Sequence, residues 1–188
     1  MNEKLTVLLP HDTVAGRIRE LAQQLNQDYQ AIRAEDAPVL VLCTLRGAVF
    51  FAADLVRQLG FHCELEFVKI HSYQGTRPAD VPTFDLGESI CATGRHVLIV
   101  EDIVDTGHTM ETMLRHFNDQ KVKSVRICTL LDKPSRREVP GIVPDYTGFE
   151  IDDVFAVGWG LDYNEEFRLL RDIMVYHPDA EEKGTLRR

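Results

Sequence analysis

A chain of 188 residues can bury a sizeable core, and 44% hydrophobic with 27% charged residues is the composition of an ordinary globular protein. The formal net charge of -9, with no basic run beyond "PSRREVP", disfavours nonspecific binding to nucleic acid or an anionic membrane. The opening "MNEKLTVLLP" holds only a short, largely apolar stretch before a proline, too short for a signal-peptide core. Nothing later approaches the ~18 apolar residues of a transmembrane helix, so a cytoplasmic location is expected. The cysteines Cys43, Cys63, Cys91 and Cys128 have no CxxC spacing, and three of them sit in or beside apolar runs. They read as free thiols of a reducing compartment.

Asp12 or Thr13 is placed to cap a helix in which Val14, Ile18, Leu21 and Leu25 fall on one face. "PVLVLCTL", residues 38–45, is a continuous apolar run, as expected of a strand covered on both faces. Arg46-Gly47 breaks it, and "AVFFAADLVRQLG" predicts a helix stopped by Gly60. "CELEFVKIHSY" alternates, then gives way to a loop rich in Gly, Pro and Asp from Gln74 to about Gly94. "HVLIV" is a second buried strand. Met110, Met113, Leu114 and Phe117 predict a helix starting just after Gly107. "VRICTLLD", "DVFAVGWG" and "DIMVYH" supply further strands, and strands alternating with helices at this spacing favour a parallel sheet in an α/β domain.

The stretch "VLIVEDIVDTGHTM" carries the chemistry. Its apolar run leads into Glu101 and Asp102, then Asp105, Thr106, Gly107, His108 and Thr109. Strand, polar loop and helix put these residues at the carboxyl end of a parallel strand, where open α/β sheets bind ligands. A turn at a helix N-terminus offers free N–H groups and the positive dipole end to a phosphate. Gly107 permits close approach, and Thr106 and Thr109 add hydroxyls. Glu101 and Asp102 repel phosphate; as acceptors they suit ribose hydroxyls or a divalent cation bridging to them. A single acid in such a loop is most often a helix cap or a solvated charge. The composite answers a narrower need, holding a sugar and its 5′-phosphate together.

This stretch resembles the phosphoribosyl diphosphate (PRPP) loop of type I phosphoribosyltransferases, most closely the hypoxanthine-guanine branch. "LRG" at 45–47, "SY" at 72–73, "LLDK" ending in Lys133 and "VFAVGWGLDYNEEFR" at 154–168 match in order and spacing. The resemblance implies a parallel-sheet type I phosphoribosyltransferase fold in one domain, 1–188, with a small hood from about 1–15 and 150–188. It implies that Glu101 and Asp102 hold the ribose hydroxyls and a magnesium ion, and that Asp105 handles the proton at N7 of the purine. The segment Asp105, Thr106, Gly107, His108, Thr109 would cradle the 5′-phosphate. Leu45, Arg46 and Gly47, in an unusual peptide geometry, would meet pyrophosphate together with Arg168. Lys133 would donate to the oxygen at C6, Phe155 would stack on the base, and the backbone of Val154 and Ala156 would meet its edge. Asp162 would lie near a second magnesium and the base 2-position. The segment from Ser72 and Tyr73 to Gly94 resembles the lid that closes over the reaction. His108 and Arg46 stand where many members carry lysine.

The implied activity is purine salvage: PRPP and hypoxanthine, with guanine as a second base, give IMP or GMP and pyrophosphate with Mg2+ as cofactor. The implied partners are small-molecule substrates, with no nucleic acid and no membrane, in a homodimer or homotetramer. Two other readings are open. A regulator of the same fold that binds nucleic acid would need a basic face, which the charge of -9 opposes. An enzyme of the same fold preferring xanthine or another base would differ only in its purine contacts.

Overall fold

The structure, a computed structural model, describes residues 4–32, 36–74, 77–85 and 90–178, and for 71–74 and 77–85 the backbone alone. Nine strands and three helices follow in the order β1 (Leu5–Leu9), α1 (His11–Asp28), β2 (Val39–Leu45), α2 (Val49–Val56), β3 (Cys63–Gln74), β4 (Arg77–Asp85), β5 (His96–Val104), α3 (His108–Asn118), β6 (Ser124–Asp132), β7 (Tyr146–Glu150), β8 (Ala156–Val157) and β9 (Ile173–Tyr176) among the described residues. Six strands form the main sheet in the order β4-β3-β2-β5-β6-β7, and three form a small sheet in the order β1-β9-β8. β3, β2, β5, β6 and β7 run parallel, and β4 is an antiparallel edge.

The continuous apolar runs are explained by burial on both faces. In β2, Val39, Val41 and Cys43 pack with Val14, Ile18, Leu21 and Leu25 of α1 and with Phe51 and Leu55 of α2. Leu40 and Leu42 face the opposite cluster with Met110, Met113 and Phe117 of α3. The chain runs from β2 to β3 on one side and returns to β5 on the other. β2 and β5 therefore flank the point where strand order reverses, and a crevice opens beyond their carboxyl ends.

Several expectations are corrected. Neither Asp12 nor Thr13 caps α1; the helix begins at His11, whose N–H donates to Asp172 Oδ1 at 2.7 Å. α2 ends at Val56, and bonds from Gln58 N–H to Leu55 O and Leu59 N–H to Val56 O tighten the chain before Gly60. Within the expected loop, Arg77–Asp85 instead forms a strand antiparallel to β3, with Lys69 opposite Asp85 and Gln74 opposite Arg77. "DVFAVGWG" yields only the two-residue β8, in the small sheet, because Gly158, Trp159 and Gly160 take positive φ and turn the chain. β7 escapes pattern reading because Thr147, Gly148 and Glu150 leave it without an apolar run. A methyl group at Gly148 would overlap Leu130 O, and Arg17 donates to Thr147 O and Gly148 O at 2.8 Å, covering this sheet edge. Cys43 and Cys128 are buried free thiols, Cys63 is half-buried and Cys91 is exposed. Among the described residues no helix is long and apolar enough to cross a membrane.

Candidate active site

β5 carries Glu101 and Asp102 inside its last turn of pairing and continues to Val104 before the chain turns. Gly107 caps α3 with φ 95°, a backbone conformation that disfavours other residues. A methyl group there would crowd Arg137, Val139 and Ile142. The segment after β6 braces this turn from behind: Glu138 and Val139 donate backbone N–H to Thr106 O at 3.0 and 3.1 Å, and Arg137 donates to Asp105 O and Asp132.

A cavity of about 230 Å³ forms in front of the turn, lined by Thr44, Leu45, Gly47, Ile70, Glu101, Asp102, Asp105, Thr106, Gly107 and Thr109 among others. Glu101 is 8% exposed, and its Oε1 accepts from Thr44 Oγ1 at 2.7 Å and from the Asp102 N–H at 3.2 Å. Burial, and after it the charge of Asp102, raises the Glu101 carboxyl well above the ordinary carboxylate range. The Cys43 thiol on the neighbouring strand is pushed up to about 12 by burial and then by the same two acids. An acidic pair so poorly solvated favours a cation or hydroxyl donors. Among the described residues no three His, Cys, Asp or Glu side chains converge to hold a metal by themselves. The arrangement fits Mg2+, which takes one or two carboxylates and completes its shell with substrate oxygens and water.

The Leu45–Arg46 peptide bond is cis, as the expected unusual geometry required. Gly47 lies so close to Asp102 that a methyl group on it would overlap the carboxylate, and one on Gly160 would overlap Gly47 O. The turn after β2 is thus packed between Asp102 and the 158–161 turn.

A second cavity, of about 1020 Å³, begins at Asp105 and Ile103, which line both spaces. Its walls bring together Lys133, Val154, Phe155, Ala156 and Asp162 from the expected set. The Phe155 ring meets Tyr163 edge-on at 5.6 Å, and Tyr163 stacks on Tyr176 at 4.8 Å. Lys133 is 6% exposed, with its N–H donating to Val104 O at 3.0 Å and its ammonium 3.7 Å from Asp153 Oδ1. Arg136 Nε donates to Asp105 Oδ1 at 3.1 Å.

Four side chains of the expected set have partners of their own. The His108 ring turns to Glu138 Oε2 at 3.1 Å and does not line the smaller cavity. The Arg46 guanidinium pairs with Glu165 at 2.8 Å, in the open. Arg168 lines neither cavity; it donates to Gly160 O and pairs with Asp162 at 2.7 Å and Glu165 at 3.4 Å. Asp162 lines the larger cavity, away from Glu101 and Asp102, and its Oδ2 accepts from the Glu165 N–H at 2.8 Å. The side chains of Ser72 and Tyr73 lie outside the described residues. Sequence reasoning missed Thr44, Arg136, Asp153, Tyr163 and Tyr176. "PSRR" directly after Lys133 is the available signal for Arg136, but the run is too short to read as a basic surface.

Residues 5–165 match the family model described as phosphoribosyl transferase domain. The chain is 45% identical over 167 residues to the hypoxanthine phosphoribosyltransferase of Haemophilus influenzae, covering 87% of this chain and 90% of the relative. It is 36% identical over 170 residues to the hypoxanthine-guanine-xanthine phosphoribosyltransferase of Tritrichomonas foetus, covering 90% of each. Among solved structures, the Trypanosoma cruzi hypoxanthine phosphoribosyltransferase complexed with the product IMP superposes with a TM-score of 0.88 at 32% identity, covering 100% of this chain and 98% of that one. With these similarities added to the two adjoining cavities, the chain belongs to the phosphoribosyl transferase family, in its hypoxanthine-guanine phosphoribosyltransferase branch.

Proposed function

We propose that the protein transfers the 5-phosphoribosyl group of PRPP to N9 of hypoxanthine, and also of guanine, giving IMP or GMP and pyrophosphate. One observation carries the reading. A cavity of carboxylates, hydroxyls and a helix N-terminus adjoins a cavity of aromatic and cationic side chains, and Asp105 is a wall of both. A sugar phosphate and a base held in these spaces would meet beside Asp105.

The turn from Asp105 to Thr109 holds the 5′-phosphate through backbone N–H groups and the Thr106 and Thr109 hydroxyls. Glu101 and Asp102 accept from the ribose hydroxyls, and Gly47 offers its backbone to the pyrophosphate. Mg2+ would sit with Glu101 and Asp102, where it neutralises the leaving pyrophosphate when bound. Lys133 donates to the oxygen at C6, Phe155 covers the ring, and Asp105 takes the N7 proton as N9 attacks the anomeric carbon. Catalysis rests on positioning and electrostatics, without a covalent enzyme intermediate. Asp162, aligned by Arg168, faces the base 2-position. The end of β3, which leaves the cavity edge at Ile70, carries Ser72 and Tyr73 as a lid, and the small sheet serves as the hood. Assembly as a homodimer or homotetramer belongs to the same proposal.

A steady-state assay with PRPP, Mg2+ and a panel of bases tests the reading. IMP formation from hypoxanthine is expected. Turnover confined to pyrimidines, or none with any base, would overturn it.

A further inference from the structure

The wall of the larger cavity carries four charges in series. Asp105 accepts from Arg136 Nε at 3.1 Å, and Arg136 Nε lies 3.7 Å from Asp153 Oδ1. The same Asp153 oxygen lies 3.7 Å from Lys133 Nζ. Signs alternate along the row, so each acid is flanked by a cation.

The backbone fixes Asp153 at the middle of this row. Ile151 N–H donates to Asp132 O at 2.9 Å, tying the 151–154 segment to the end of β6, one residue before Lys133. Val154 N–H donates to Asp152 O at 2.7 Å, closing a three-residue turn with Asp153 at its centre. Phe155 follows directly, so the same turn sets both the aromatic wall and the acid.

The distances say what Asp153 does there. The Lys133 side chain is 8% exposed, and a buried ammonium is costly without an opposing charge. At 3.7 Å the carboxylate supplies that charge without forming a hydrogen bond. The ammonium protons therefore remain available to a carbonyl oxygen. Asp153 itself is 57% exposed, so solvent screens its pull and the cation is not captured outright.

We propose that Asp153 is the positioning residue for base recognition: it aims the Lys133 ammonium and the Arg136 guanidinium without consuming their donors. This rests on the 6-oxopurine reading above. Asp153 makes no contribution to PRPP binding in this account, because it lines only the larger cavity.

The test compares the full-length wild type with Asp153→Asn, Asp153→Glu, Lys133→Met and the Lys133→Met, Asp153→Asn double variant. Asp153→Asn should raise KM for hypoxanthine about tenfold, less than the loss of a fully buried partner because Asp153 is 57% exposed, and leave KM for PRPP within about twofold. Asp153→Glu should recover most of the loss. In the Lys133→Met background the Asp153→Asn change should have little further effect on the residual activity, since the cation it aims is gone. An unmoved hypoxanthine KM, equal rises for both substrates, or an undiminished loss on top of Lys133→Met would overturn the proposal while leaving the function intact. A wild type inactive with every 6-oxopurine would overturn both.

Discussion

The two cavities that share Asp105 are built by opposite means. The smaller sits at the switch point of the parallel sheet and is made from what every strand end there supplies: a helix N-terminus, glycine backbone, hydroxyls and two acids on β5. The larger is made from side chains that arrive later in the chain, on the segment after β6 and around β8 and β9. A phosphorylated sugar needs backbone donors in fixed geometry, which the fold provides by itself. A flat base must be chosen by its edge, which only particular side chains can read. Under the proposed function, sugar-phosphate binding falls to the sheet and base choice to the segments laid over it.

Damage to the smaller cavity should therefore cost turnover with every base alike. Gly47→Ala would force its methyl group into the Asp102 carboxylate, so either the turn or the acid must shift. The expected outcome is a loss of roughly 10²-fold in kcat/KM for PRPP, the usual cost of ångström-scale misplacement, with the ratio between bases unchanged. Steady-state kinetics with hypoxanthine and guanine checks both halves. A change in the ratio between bases would break the division.

A smaller effect separates stability from function within the same cavity. The folded chain holds the Glu101 carboxyl at a raised proton affinity through burial and then through Asp102. A raised folded-state value means that protonating Glu101 stabilises the fold. That gain is full below the unfolded carboxylate range and is lost as pH rises through the folded value. Glu101→Gln keeps an acceptor for Thr44 without the charge. The ligand-free variant should gain about 2–4 °C in Tm at pH 8, the shift expected from roughly 1 kcal/mol in a domain this size. The gain should shrink on acidification, and Mg2+-dependent PRPP binding should weaken. Thermal scans at pH 5 and pH 8 check the sign; a Tm at pH 8 below that of the wild type would contradict it.

The same division governs what the sequence makes legible. The sheet, the placement of Glu101 to Thr109 on one strand end, and the start of α3 after Gly107 follow from local pattern: apolar runs buried on both faces, then a glycine turn. The tertiary partners do not. Nothing local marks Asp172 as the cap of α1, or Thr44 as the donor to Glu101. Arg136 and Asp153 acquire meaning only when the turn after β7 is tied to the end of β6. The aromatic wall of Phe155, Tyr163 and Tyr176 joins residues that the positive-φ turn at 158–160 brings back together. The His108 ring is a further case: its place in the motif does not reveal that the ring meets Glu138.

The central claim is that the larger cavity chooses the base, and Lys133 is its most direct reporter. A buried ammonium has donors only, so it complements the carbonyl at C6 of hypoxanthine and confronts the amino group of adenine with another donor. The decisive measurement is the ratio of kcat/KM for hypoxanthine to that for adenine in wild type and Lys133→Met, with PRPP affinity measured beside it. The wild type should favour hypoxanthine by roughly 10²–10⁴, the scale of a buried polar mismatch, and Lys133→Met should narrow that ratio while leaving PRPP affinity near its original value. A wild type that uses adenine well, or a variant whose ratio is unchanged, would contradict the claim.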